Sequence, residues 1–87
     1  MPVSWERTAQ EKFNQMIAKV PGPMQGFAGD AVARKAQKIV EKDGRSEITL
    51  KDMVDAFFEA TPFGFHGPMK TDMEALGINY EQYGYEK

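Results

Sequence analysis

The sequence predicts an all-α fold, a small bundle of about four helices, and three observations carry that expectation. Apolar residues recur at three- and four-residue spacing through most of the chain. Proline and glycine punctuate those runs at intervals suited to helix ends. No segment alternates polar with apolar residues as a half-buried strand would, and no repeat or low-complexity run stands out. With 87 residues the chain is read as a single small domain over 1–87. A domain of that size buries only about 60–65% of its unfolded surface, so a partner covering part of the core would add stability.

The first helix is expected over 5–19. Ser4 suits the N-cap, and Trp5, Ala9, Phe13, Met16, Ile17 and Val20 fall within an arc of about 120° at roughly 100° per residue. Pro21-Gly22-Pro23 ends that helix, because proline lacks the N–H and disfavours helical geometry in the residue before it. Gly22, Gly26 and Gly29 leave a loosely turned stretch around Met24 and Phe27. A second helix is expected over 30–43, with Asp30 as cap or with a start several residues earlier. Ala28, Val32, Ala36, Ile39 and Val40 share its apolar face, Arg34, Lys38, Lys42 and Arg45 the opposite one. Gly44 then holds the position of a left-handed helix stop.

A short extended link over 46–49 leads to a third helix over 50–60, capped by Thr49 with Asp52 in place of the usual Glu of a capping box. Leu50, Met53, Val54, Phe57 and Phe58 form its apolar arc, and Asp52, Asp55 and Glu59 an acidic, solvated one. Thr61-Pro62 closes it, and Phe63-Gly64-Phe65-His66-Gly67 reads as an aromatic, glycine-rich loop. Pro68 opens a fourth helix over 68–76 with Met69, Met73 and Leu76 inward, stopped by Gly77, with Ile78 placed for the accompanying hydrophobic contact. Residues 79–83 add a final turn before a frayed tail.

Composition narrows the chemistry. There is no cysteine, which excludes disulfides, thiolate catalysis and thiolate-held zinc or iron–sulfur centres. No apolar run approaches the roughly 20 residues that cross a bilayer, and residues 1–7 lack the basic-then-apolar pattern of a signal peptide. A soluble, cytoplasmic protein without membrane contact is the expectation. The net charge of −2 is unevenly spread: residues 1–32 are neutral, 33–51 carry +3 and 52–87 carry −5. Such a distribution leaves a local basic patch on an acidic chain.

A helix–Gly–Ile-Thr–helix unit is the most distinctive signature: Ala33-Arg34-Lys35-Ala36 to Gly44, then Glu47-Ile48-Thr49 and the third helix, preceded by a helix that opens on Trp5 and ends on Val20-Pro21. That order resembles the small domain at the C-terminus of the B subunit of light-independent protochlorophyllide reductase, over a family-like core 4–58. Where that family has bulky and basic residues after Val-Pro, this chain has Gly22-Pro23-Met24-Gln25-Gly26, and its extension 61–87 lies outside the match. The resemblance implies a helical fold and docking onto a larger redox enzyme, as an oxidoreductase accessory without activity or cofactor of its own. A shorter likeness, Lys42-Asp43-Gly44-Arg45 with Ile48-Thr49 and Asp52, resembles the second loop and third helix of a histone fold. It implies nucleic-acid binding through the basic helix 33–45.

Two sets of residues are therefore candidates for function. Arg34, Lys35, Lys38, Lys42 and Arg45 could meet an anion, a phosphate backbone or an acidic partner. Phe58, Phe63, Phe65, His66, Tyr80 and Tyr83 belong to an aromatic- and methionine-rich stretch suited to a protein partner or to a homodimer. His66, the one histidine, has no Ser, Cys or Asp at a motif spacing and reads as a loop residue. The glycines at 22, 26 and 29 lack the preceding strand and the Gly-Lys-Ser/Thr ending of a phosphate loop. No catalytic residue, metal site or cofactor site is expected.

Overall fold

The computed structural model describes residues 3–87. Ser4 and Trp5, expected at the start of the first helix, instead form a short strand, β1 (Ser4–Trp5), paired in parallel with β2 (Glu47–Ile48). The Ser4 N–H donates to the Ser46 carbonyl and the Glu6 N–H to the Ile48 carbonyl, both at 2.9 Å. The backbone stays extended through Glu6 (φ −61°, ψ 142°), so the helix begins only at α1 (Arg7–Ala18), with Glu6 rather than Ser4 as its cap residue. The Trp5 ring lies 4.7 Å from that of Phe13.

A 3₁₀ turn (Gly22–Met24) runs straight into α2 (Gln25–Lys42), which begins six residues before an Asp30 cap would start it. Asp30 lies exposed inside the helix. The earlier start is fixed by Gln25, whose side-chain amide donates back to the Val20 carbonyl at 2.9 Å. The stop falls where the sequence places it. Gly44 is left-handed (φ 71°), its N–H donates to the Glu41 carbonyl, and the Arg45 N–H reaches the Val40 carbonyl. These two bonds complete a Schellman motif.

α3 (Leu50–Ala60) is held by the expected capping box between Thr49 and Asp52. A second 3₁₀ turn (Phe63–Phe65) leads into α4 (His66–Ala75), so His66 and Gly67 belong to a helix rather than a loop. Gly77 (φ 74°) ends α4 with a second Schellman motif, the Ile78 N–H bonding the Met73 carbonyl. Lys12 on α1 donates to the Leu76 carbonyl at 2.7 Å, adding a cation to the end of α4. A last 3₁₀ turn (Tyr80–Tyr83) follows, as expected.

α2 and α3 make the most extensive helix pair, and α1 and α4 complete the core around them. Ala36, Val40, Met53, Val54 and Met73, all assigned to inward faces, are fully enclosed, and Ala56 joins them. Two expectations for the C-terminal half change. Phe58 and Tyr80, candidates for a partner surface, are buried, and Tyr80 donates its hydroxyl to Glu74 at 2.6 Å. The tail is not frayed at Tyr85, which stacks on Phe58 at 3.9 Å with nearly parallel rings and donates to Asp55.

The order strand, helix, proline turn, helix is used twice, once from β1 to α2 and again from β2 to α4. Sequence comparison of the halves does not suggest this, because only a short pattern is shared: Pro21-Gly22-Pro23-Met24-Gln25-Gly26 against Pro62-Phe63-Gly64-Phe65-His66-Gly67. Both turns close through the proline carbonyl, accepting from Met24 at 2.8 Å and from Phe65 at 2.9 Å. Among the described residues no helix is long and apolar enough to cross a membrane.

Candidate functional site at the two proline turns

The twofold use of a proline turn decides what is exposed. Each proline turn, or the helix start that follows it, carries bulky apolar side chains that stay outside the core. Met24 is 52% exposed, Phe27 in the first turn of α2 74%, Phe63 88% and Phe65 66%. These four are the exposed large hydrophobic residues among those described. They come from the two turns and the helix starts that follow.

Between the turns lies an apolar groove of about 450 Å³. Met16 lies on its α1 side, Val32 and Phe27 on its α2 side, Phe57 on its α3 side and Met69 on its α4 side, while Met24 and Phe65 line it from the two turns. Among the described residues Lys19 and Asp72 are the only charged side chains lining it, and they make no ion pair with each other. Of the sequence candidates, Phe65 lines the groove and Phe63 projects from the same turn. Tyr83 is half-buried against the core. Met24 and Phe27 are not among the sequence candidates. The repeated pattern of proline, an apolar residue three positions on, then Gln or His and Gly would find Met24, whereas nothing in that pattern marks Phe27.

His66 supports the second turn. Its Nε2 lies 2.9 Å from the Thr61 carbonyl and 3.1 Å from that of Phe58. Carbonyl oxygens only accept, so Nε2 carries the proton. In a continued helix the Phe58 carbonyl would receive the N–H of residue 62, which is a proline. His66 supplies the missing donor, as Gln25 does at Val20 in the first turn.

The basic set separates into two parts. Arg45 is engaged in the fold: its guanidinium makes two parallel bonds to Asp52, at 2.7 and 2.9 Å, and a third to Asp43 at 3.0 Å. Asp52, expected on a solvated acidic arc, is 3% exposed. Burial opposes its charge, but Arg45 together with the N–H and hydroxyl of Thr49 outweighs that cost and holds the carboxyl at about 2. Lys35 pairs with Glu59 at 3.3 Å. Arg34, Lys38 and Lys42 remain exposed, with no carboxylate partner among the described residues. They line one stripe of α2, since residues four apart lie one above the other.

Among the described residues no group of three or more His, Asp or Glu gathers as a metal site would need. Comparison with protein-family models, with curated proteins and with solved structures finds no match to this chain.

Proposed function

We propose that the chain is a protein-interaction module, an accessory subunit of a larger cytoplasmic assembly, working by docking rather than by chemistry of its own. A redox enzyme is the class of assembly implied by the resemblance to the protochlorophyllide reductase domain. The observation that carries the docking reading is the gathering of Met24, Phe27, Phe63 and Phe65, all more than half exposed, around one apolar groove. Soluble monomers rarely leave large apolar side chains together on the surface without a use for them, and Phe and Met are enriched where proteins meet.

The test is recovery of partners from the native host by the wild-type chain and by Phe27→Asp/Phe65→Asp. The expected outcome is a stoichiometric redox-enzyme subunit that the wild type retains and the double variant loses. Equal recovery by both would overturn the assignment to the groove.

A second reading, duplex binding through α2, is favoured by the unpaired stripe of Arg34, Lys38 and Lys42. Three phosphate contacts would give a log–log salt slope of about −2.7, at roughly −0.9 for each. Loss of duplex retardation in Arg34→Glu/Lys38→Glu, with the groove variant unaffected, would favour it over docking.

A further inference from the structure

We infer that Met24 is a reversible oxidation site whose state sets how apolar the groove is, so that hydrogen peroxide gates docking; the gate rests on reading the groove as a protein-docking surface, the oxidation site does not. The composition leaves few targets for such an oxidant. The chain has no cysteine, so no thiol of its own competes for a two-electron oxidant, and its sulfur is that of six methionines. Burial then separates them. Met16, Met53, Met69 and Met73 are enclosed in the core, while Met24 is the one exposed methionine among the described residues. An oxidant reaches the enclosed four only when the fold opens. It reaches Met24 in the native state.

A lone pair on the Met24 Sδ attacks one oxygen of hydrogen peroxide. The S–O bond forms as the O–O bond breaks, a proton passes to the departing oxygen, and that oxygen leaves as water. The thioether is oxidised by two electrons to a sulfoxide and the peroxide is reduced. In the return step two thiols supply two electrons and two protons, giving thioether, water and a disulfide. The chain holds no thiol, so those equivalents come from a separate reductase charged by a dithiol.

Position gives the oxidation its consequence. Met24 closes the first proline turn and lines the groove, with Phe27 three residues on at the spacing of helix neighbours. The turn is held by the Met24 N–H on the Pro21 carbonyl at 2.8 Å and by the Gln25 amide on that of Val20, not by the thioether. Oxidation therefore changes the lining and leaves the turn formed. A sulfoxide replaces a flexible apolar side chain by a polar one, and a polar group covered without a hydrogen-bond partner opposes binding. The second turn has Phe65 in the same place, its N–H on the Pro62 carbonyl. Of the two equivalent turns, only the first carries a thioether.

Hydrogen peroxide treatment of the native full chain, followed by tryptic mapping, tests the site. Cleavage after Lys19 and Arg34 releases residues 20–34, in which Met24 is the only methionine. Met24 should oxidise at least about tenfold faster than Met16, Met53, Met69 and Met73 in the folded chain, and at a rate similar to theirs in urea. Binding of the neutral dye Nile red reads the gate. Wild-type affinity should fall about tenfold on oxidation and return after treatment with methionine sulfoxide reductases and a dithiol. Phe27→Asp/Phe65→Asp should lose the dye, which places it in the groove. Met24→Leu, whatever its own affinity, should bind the dye equally before and after peroxide. Comparable oxidation of all five methionines in the folded chain overturns the site. Dye affinity that does not follow Met24 oxidation, or that falls equally in Met24→Leu, overturns the gate, as does a reduced wild type that binds no dye. If dye binding follows oxidation but the reduced chain recovers no host partner, docking fails and the oxidation site stands. Equal recovery of a partner by the oxidised and reduced chains overturns the gate and leaves docking standing.

Discussion

At Asp52 four interactions converge on one carboxyl: both arms of Arg45, and the backbone N–H and hydroxyl of Thr49. The same group closes the capping box of α3 and receives the residue that follows the stop of α2. The carboxyl titrates at about 2 in the fold against 3.8 unperturbed. A depressed carboxylate stabilises above its unfolded value and loses that contribution as pH falls. We expect roughly 2 kcal/mol, complete above about pH 4 and vanishing toward pH 2. Urea unfolding at pH 7 and pH 3 should show about half of this loss in the wild type, and Asp52→Asn should begin low and respond less to acid. His66 gives a second residue-scale expectation. Removing its ring leaves the Phe58 carbonyl without the donor that Pro62 cannot supply, so His66→Ala should cost about 1–2 kcal/mol, measured by the same titration. A Gln at 66, by analogy with Gln25, should recover part of it.

The helices owe their limits to glycine and proline, and glycines at different places respond oppositely to substitution. Gly44 sits at φ 71°, and no heavy atom lies within 4 Å of the point a side-chain methyl would occupy. Gly44→Ala would therefore meet no clash and would suffer only the left-handed backbone. A loss of about 1–2 kcal/mol is expected. Gly26 lies within α2 and is likewise open around its Cα, without a positive φ. Gly26→Ala should gain about 0.5–1 kcal/mol through helix propensity and a less flexible unfolded chain. Thermal unfolding of the two variants side by side checks the opposite signs. Equal effects would mean that the helix limits are set by packing rather than by backbone conformation.

Across the whole molecule, both ends of the described chain are tied to the central helix pair. Trp5 is drawn in by the parallel pairing of β1 with β2, and Tyr85 by its stack on Phe58. Cutting the chain after Gly84 should remove the stack and the bond to Asp55, a loss of about 1–2 kcal/mol. For a domain of this length that lowers the melting temperature by roughly 4–16 °C. The tail also brings an alkaline sensitivity. Hydrogen bonding to Glu74 raises the Tyr80 hydroxyl to about 12, and burial followed by the bond to Asp55 raises that of Tyr85. Raised tyrosines stabilise while neutral, so this contribution is complete below about pH 10 and fades as pH climbs toward 12. Melting temperatures across that window should fall less steeply in Tyr80→Phe/Tyr85→Phe than in the wild type.

The helices, their inward faces, the stops at Gly44 and Gly77 and the capping box at Thr49 were legible in the sequence, because each depends on residues within one or two turns of the chain. The four-helix, all-α reading rests on that local chemistry. Tertiary structure decided what depends on distant partners. Ser4 and Trp5 joined a sheet because Ser46 and Ile48 offered carbonyls, which no local pattern announces. Arg45, the most suggestive surface charge in the sequence, was drawn onto a carboxylate that burial made costly to leave unpaired. The groove arose because two proline turns, far apart along the chain, came to line one surface and left Met24, Phe27, Phe63 and Phe65 outside the core.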